Sequence, residues 1–516
     1  LSGIIYYMGK PIIHIAIANA APITYDPKTN TIIRKPGGVS TVLENIEYDA
    51  LVVLDPTGKL DGYVDATGRK VFGVTVTAQE YRQYYGEYSN RVLWNVLHAP
   101  TGRYKYVRLE DPEFSYAQYR MVNQKVVDRA LQAFQEVAPT TPSHSARFRF
   151  IDYHLLPAAA MLKQRLPGAK SSYTNYIPWT DAGVITSSSM AELLPPQQLR
   201  QLLKGMLHNE LINFQTHKDL INFRETIRIL FVHNAQNVDP LVTIDYKRIR
   251  YGTHLTQLHV LPASLNYKKI AESVDDAKAR KMSQAFRTQY PEEKIAYAMD
   301  RTDYIKGPDK HILSVKEMLL THPELLGRFR LVQGLPASRL NIKEYKEFSD
   351  SIHDLARQTN KVLRQHFQKF SPKAYGGNKS WQPITIDTRA LPNDQVLANF
   401  RASDVVLVLS VIDGLNLVAE ETLLCQQLEV HAVPVIIGKN VGLTEQLARV
   451  NYTYIVDPQD IHACAEAIYN ALMEPQSEHR IAIQKVKDYF SQHDATRQSK
   501  EYQRVFEKAI KQSGDA

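Results

Sequence analysis

The chain has 516 residues, 44% of them hydrophobic and 22% charged. That is an ordinary soluble globular composition, and the length exceeds one core, so two large domains are expected. The net charge of +8 is spread along the chain; it suits anionic small ligands as well as nucleic acid, and no nucleic-acid partner is expected. No apolar run approaches the ~18–20 residues of a membrane span. The two cysteines, Cys425 and Cys464, make neither a disulfide framework nor a zinc site, which points to a reducing, cytoplasmic setting. The start, Leu1 to Met8, has no basic leader or small-residue cleavage site, so no signal peptide is expected, and it lacks an initiator Met.

In chain order, Ile12 to Ala18 reads as the first strand and Asn19 to Asn30, with Pro22 and Pro27, as a loop. Pro36-Gly37-Gly38 looks like a glycine-rich turn opening a helix, where amides approach a phosphate, although an ordinary turn has the same pattern. Leu51 to Leu54 reads as a strand. Tyr81 to His98 is dense in aromatics, which serve either as core or as a platform for a sugar face. Pro112 to Val137 reads as a helix, and Phe148 to Ile151 as a strand entering Asp152-Tyr153-His154 and a helix from Leu155 to Leu162. Ser171 to Ile177 reads as a strand, Leu199 to Leu207 and Asp219 to Ile229 as helices, and His254 to Pro262 as the last strand of this half.

The second half starts near Ala263. Ile295 to Met299 reads as a strand, followed by Arg301 and Lys306; Ser314 to Glu317 is a capping box that should open a helix. Phe329 to Val332 and Ile384 to Ile386 read as strands, Lys343 to Gln365 and Gln395 to Phe400 as helices. Val405 to Leu409 is a continuous apolar run, the mark of a buried parallel strand. Asp413 to Asn416 should then lie where a strand's carboxyl end meets a helix N-terminus, the usual ligand position in such sheets. Amides there hold anions, and Asp413 and Glu421 accept from hydroxyls; a helix cap at Asp413 with a solvated Glu421 is the plainer alternative. Ala432 to Ile437 and Tyr454 to Val456 read as strands, with Pro434 suggesting an edge or irregular position. Ile461 to Met473 and the residues from Ser477 read as helices, the latter with Tyr502, Val505, Phe506, Ala509 and Ile510 on one face.

Alternating strands and helices in two halves predict an α/β protein of two Rossmann-like, doubly wound domains facing a central cleft. The expected divisions are 1–263, 264–476, and C-terminal helices over 477–516 that pack back on the first domain. Arg301 and Lys306 at a strand's carboxyl end suit a pyrophosphate, although a surface basic pair has the same spacing.

Together these segments resemble the trehalose-6-phosphate synthases, retaining glycosyltransferases of the GT-B fold in glycosyltransferase family 20. Tyr84 to Trp94 is similar to YYNxFSNxxLW, and Asp152 to Pro157 to DYHLLP. Leu211 to Thr216 with Asp219 is similar to LLGFQTxxD, Arg301 to Gly307 to RLDYSKG, and Gln333 to Arg339 to QIAPTSR. Ser403-Asp404 with Asp413 to Glu421 is similar to SD…DGMNLVAKE. The resemblance implies that Arg301 and Lys306, with Asp413, act on the donor's diphosphate and sugar. It places Gly37, Gly38, Tyr176, Leu415, Asn416, Leu417, Val418 and Glu421 on the donor, and Tyr85, Trp94, Asp152 and Arg339 on the acceptor. It implies UDP-glucose, GDP-glucose or another nucleotide-sugar as donor, a sugar-phosphate-like acceptor, no cofactor and no metal, and it is compatible with a homo-oligomer.

Two positions depart from that pattern. The family has Asn-Arg after its first strand, where this chain has Asn19-Ala20; losing one phosphate arginine costs about 1.5–3 kcal/mol. The family's HIPFP histidine is replaced by Tyr176. A shorter likeness, Ala21 to Asp26 with Pro36-Gly37-Gly38, is to the validoxylamine 7′-phosphate synthases, pseudo-glycosyltransferases that link through nitrogen. Three functions therefore stand: a glycosyltransferase, a nitrogen-linking tailoring enzyme, and a non-catalytic nucleotide-sugar-binding homologue.

Overall fold

Val405–Val408 is Val-Val-Leu-Val with every residue buried, and such β-branched runs covered on both faces build the parallel sheets of this chain. The computed structural model describes residues 6–7, 10–35, 37–65, 67–100, 109–232, 239–274, 277–340 and 342–514. Pro36 of the glycine-rich turn and most of the N-terminal stretch 1–8 lie outside them. The chain divides into two compact units: residues up to Ala263 together with those from Ala495, and Ser264–Asp494.

Among the described residues of the first unit, the main sheet has nine strands in the order 242–244, 248–251, 254–260, 211–214, 170–174, 146–151, 13–18, 50–54, 70–74. At one edge strand 248–251 pairs antiparallel with both its neighbours, and the remaining pairings are parallel. The C-terminal helix Ala495–Gln512 belongs to this unit. Tyr502, Val505, Phe506, Ala509 and Ile510 of that helix bury against Leu211, and Arg147 pairs with Glu507 at 2.6 Å. The preceding helix, Gln476–Gln492, belongs to the second unit.

The second unit's sheet has six parallel strands, ordered 384–387, 329–334, 294–299, 405–408, 435–438, 455–456. Numbered along the chain this is 3-2-1-4-5-6, the doubly wound order, with its switch point between Lys294–Met299 and Val405–Val408.

Several local expectations are corrected. Asn19 to Asn30 is not all loop: Ile23–Asp26 and Thr31–Arg34 form an antiparallel hairpin, because Pro22 and Pro27 bound a strand rather than interrupt one. The helix containing Ser314 starts at Pro308, after Gly307 in the left-handed region, so Ser314 to Glu317 is mid-helix and not a cap. The segment after Asp152 breaks into a short 3₁₀ turn, Tyr153–Leu155, and a helix, Ala158–Arg165, because Pro157 interrupts it. Pro434 marks no edge: it precedes Val435–Gly438, which lies inside the sheet between two neighbours.

Among the described residues, no helix is long and apolar enough to cross a membrane. Cys425 and Cys464 are free thiols, both buried.

Candidate functional site

At the second unit's switch point two loops follow adjacent parallel strands. The first, residues 300–307, begins with Asp300, which is 4% exposed. Burial pushes its carboxyl up to about 7, opposed by Lys306. Arg301 is half-exposed; its Nη1 donates to Ser338 Oγ at 3.5 Å, and its Nη2 lies 3.6 Å from Asp303 Oδ2. The Lys306 ammonium pairs with the Asp413 carboxylate of the second loop. Burial works against the charge on Lys306, but Asp413 and Asp300 outweigh it and raise its pKa.

Gly307 closes the first loop at φ 71°, and a Cβ there would meet the carbonyl of Leu409. Val411 N donates to Ile305 O at 2.8 Å, which ties the two loops together. Leu409 is held from the other side: its N–H donates to His311 Nε2 at 3.0 Å, while His311 Nδ1 donates to Gln333 at 2.7 Å. Burial lowers the His311 pKa to about 4, so the ring stays neutral in this tautomer.

The second loop delivers helix Leu417–Leu424. Its cap is Asn416 at φ 70°, not Asp413: Asn416 Oδ1 accepts from Ala419 N at 3.1 Å, and Nδ2 donates to Ser410 Oγ at 3.1 Å. With the capping role taken by Asn416, Asp413 is left for Lys306. Leu415 is buried, and Leu417, Val418 and Glu421 are partly exposed on the helix's first turns. Ser403-Asp404, the other half of this motif, is structural: Asp404 pairs with Arg287 at 2.7 Å and Lys294 at 3.0 Å at the opposite end of the strand.

Arg339 joins the same cluster from the loop after Phe329–Gly334. It sits at φ 54°, donates to the Tyr345 hydroxyl at 2.7 Å, and lies 3.7 Å from Asp303 Oδ2. Arg301, Lys306 and Arg339 thus stand among Asp300, Asp303 and Asp413. A protonated Asp300 leaves the cluster net positive at the open end of the sheet, where it can hold an anion. Among the described residues no group of three or more His, Cys, Asp or Glu side chains is gathered as a metal-ligand set.

In the first unit, Asp152 follows strand Ala146–Ile151 at φ 72° and accepts from Tyr176 N at 3.3 Å. Tyr85 lies on a π-helical stretch, Arg82–Leu93, that follows a capping box at Thr77 and Glu80. Its ring stacks on Tyr81 at 5.1 Å and on His154 at 5.8 Å. Trp94 is buried, 5.7 Å from the Tyr153 ring. Tyr85, Trp94 and Asp152 therefore converge around Tyr153-His154.

Asn19-Ala20 follow strand Ile13–Ala18, next to the strand that carries Asp152 in the sheet. Gly37 at φ 134° is the residue before helix Gly38–Asn45, and only the backbone there calls for glycine, since a Cβ would meet open space. Tyr176 turns within its own unit: its hydroxyl accepts from Arg149 Nη2 at 3.1 Å, and that guanidinium lies 3.6 Å from the centre of the Tyr502 ring. Burial raises the Tyr176 pKa, with Arg149 opposing.

Sequence reasoning assigned no role to Asp300, Asp303, His311 or Ser338. Asp300 and Asp303 flank Arg301 in a segment already singled out; their burial was the missing signal.

The chain matches the family model described as Glycosyltransferase family 20 over residues 63–508. A bifunctional trehalose-6-phosphate synthase/phosphatase of Thermoproteus tenax is 25% identical over 500 residues, covering 94% of this chain; the chain spans 62% of that relative's length. An E. coli structure bound with UDP-2-fluoro glucose superposes with TM-score 0.78 at 21% identity, covering 96% of this chain and 98% of that one. A Burkholderia xenovorans α,α-trehalose-phosphate synthase in complex with glucose-6-phosphate gives 0.77 at 19%, covering 96% and 100%. The shared fold is GT-B, built here from two Rossmann-like α/β units.

Proposed function

The chain belongs to glycosyltransferase family 20, and we propose that it moves a hexosyl group from a nucleotide-sugar to a sugar-phosphate-like acceptor with retention of anomeric configuration. The observation that carries this reading is the Arg301–Lys306–Asp413 cluster at the switch point of the second sheet. Arg301 and Lys306 take the donor's diphosphate, with amides at the start of helix Leu417–Leu424 behind them. Asp413 and Glu421 accept from donor hydroxyls, and Gly37, Gly38 and Tyr176 complete the donor side. Tyr85, Trp94, Asp152 and Arg339 serve the acceptor.

The acceptor oxygen bonds to the anomeric carbon as the carbon–oxygen bond to the diphosphate breaks, and the acceptor's proton passes to the departing phosphate oxygen. The protein supplies positioning and charge rather than a nucleophile. The relatives' ligands favour UDP-glucose as donor and glucose 6-phosphate as acceptor. Ala20, where the resemblance carries an arginine, favours as a second reading an acceptor with a different anionic or amine group.

Calorimetric titration with UDP and with GDP tests the donor half. Wild-type protein should bind at least one of them, and Arg301→Ala should weaken it ~10- to 100-fold, as loss of a charged hydrogen-bond donor does. Equal binding by wild type and variant would remove the cluster from the donor site.

A further inference from the structure

The two arginines that the proposed function assigns to different substrates share one carboxylate. Arg301 approaches Asp303 Oδ2 to 3.6 Å and Arg339 approaches the same oxygen to 3.7 Å, while Asp303 itself is fully buried. Both gaps lie just beyond hydrogen-bond length, so the oxygen orients both guanidiniums without occupying their donors. The other oxygen, Oδ1, accepts from Ile305 N at 3.3 Å, which fixes the carboxylate to its own loop.

Neither arginine is fixed by Asp303 alone. Arg301 also reaches Ser338, and Arg339 reaches the buried Tyr345 hydroxyl. Their loops follow strands paired in register, Met299 opposite Gly334, and Thr302 N donates to Pro336 O at 3.3 Å. The backbones are therefore held together, and the buried Asp303 carboxylate is a side chain that both cations face.

We propose that Asp303 is a positioning residue that holds Arg301 and Arg339 in mutual register, so that the leaving diphosphate and the acceptor's phosphate are aligned in one geometry. The inference rests on the assignment of these arginines to donor and acceptor. A single guanidinium still recruits its own phosphate when the partner is misaligned, whereas transfer needs both substrates placed at once. A carboxylate that merely balanced charge would behave in the opposite way: removing it would tighten anion binding and spare turnover.

The test is Asp303→Asn, which keeps the shape and removes the charge, compared with Tyr345→Phe, which frees Arg339 from its other side. Binary Kd values for UDP and GDP and for glucose 6-phosphate are measured by calorimetry, and kcat by nucleoside diphosphate release from UDP-glucose and GDP-glucose. The expected result is a fall in kcat of at least ~30-fold in Asp303→Asn, with binary Kd values within about threefold of wild type, and a smaller loss of the same kind in Tyr345→Phe. Turnover within threefold of wild type in both variants overturns the proposal. So does a parallel collapse of Kd and kcat in both, which would make Asp303 part of the loop's scaffold alone. If wild-type protein binds neither nucleoside diphosphate and gives no release, the reading of the site fails first, and this inference falls with it.

Discussion

The Lys306 ammonium and the Asp413 carboxylate form an ion pair across the switch point of the second sheet, joining the loops after strands Lys294–Met299 and Val405–Val408. Their side chains are only 13% and 15% exposed, so neither charge is well solvated without the other. Lys306→Ala is expected to destabilise the protein by about 3 kcal/mol, because it leaves buried carboxylates without their cation. Lys306→Ala with Asp413→Ala should recover part of that loss in chemical denaturation, while nucleoside diphosphate release stays abolished in both.

Gly307 is the tightest backbone position of the site. Alanine there must hold φ near 71° and place its Cβ against the Leu409 carbonyl. Gly307→Ala is expected to cost more than ~2 kcal/mol and to weaken nucleoside diphosphate binding, since helix Pro308–Thr321 and the Lys306 loop shift together. Wild-type stability by thermal unfolding would contradict this.

Asp300 gives the site a pH dependence. Burial raises its carboxyl to about 7, against the pull of Lys306 and Arg301 and with the push of Asp413 and Asp303. Below that pH it is neutral and the cluster is net positive; above it, it ionises and repels a diphosphate. UDP binding by wild-type protein, expressed relative to Asp300→Asn at each pH, should therefore weaken by a few-fold from pH 6 to pH 8, on the order of 1 kcal/mol. Dividing by the variant removes the titration of UDP itself. A flat ratio would contradict the assignment.

Glu420 makes an analogous prediction for stability. It is fully buried on helix Leu417–Leu424, and its Oε1 accepts from Ser264 Oγ at 2.7 Å and from Leu265 N at 2.9 Å, where the second unit begins. Burial raises its pKa from 4.5 to about 7. The raised folded-state pKa means that the native state holds a proton the unfolded chain releases. The contribution of Glu420 to stability is thus greatest below about pH 4.5 and falls as pH rises towards 7, by a few kcal/mol in total. Glu420→Gln should lose this slope, so that its stability relative to wild type improves from pH 5 to pH 7.5 in urea titrations.

Much of the site was legible because its elements announce themselves locally. Val405 to Leu409 is apolar throughout, and Asp413 to Asn416 follows with residues that suit a turn, so strand, turn and helix could be placed without a structure. That the cap is Asn416 rather than Asp413 could not, because both residue types cap helices and only the bond from Ala419 N to Asn416 Oδ1 decides it. Ser314 to Glu317 misled for the opposite reason: a capping pattern is short, and the helix begins earlier, where Gly307 and Pro308 permit it. Strands Leu211–Phe214 and Lys70–Val74 went unread, since four or five residues carrying an Asn or a Gly show too little periodicity. The Asp303 bridge was out of reach of any local reading. Residues 303 and 339 meet only because their strands are neighbours in the sheet, and strand order is a property of the fold.

Transfer from a nucleotide-sugar to an anionic sugar acceptor is read out by nucleoside diphosphate release from UDP-glucose and GDP-glucose, with and without glucose 6-phosphate, recording the mass of the product. The predicted result is release that depends on the acceptor, with a new disaccharide phosphate, and neither in Arg301→Ala. Intact donor and unchanged acceptor in wild-type protein, with no nucleoside diphosphate bound, would contradict it.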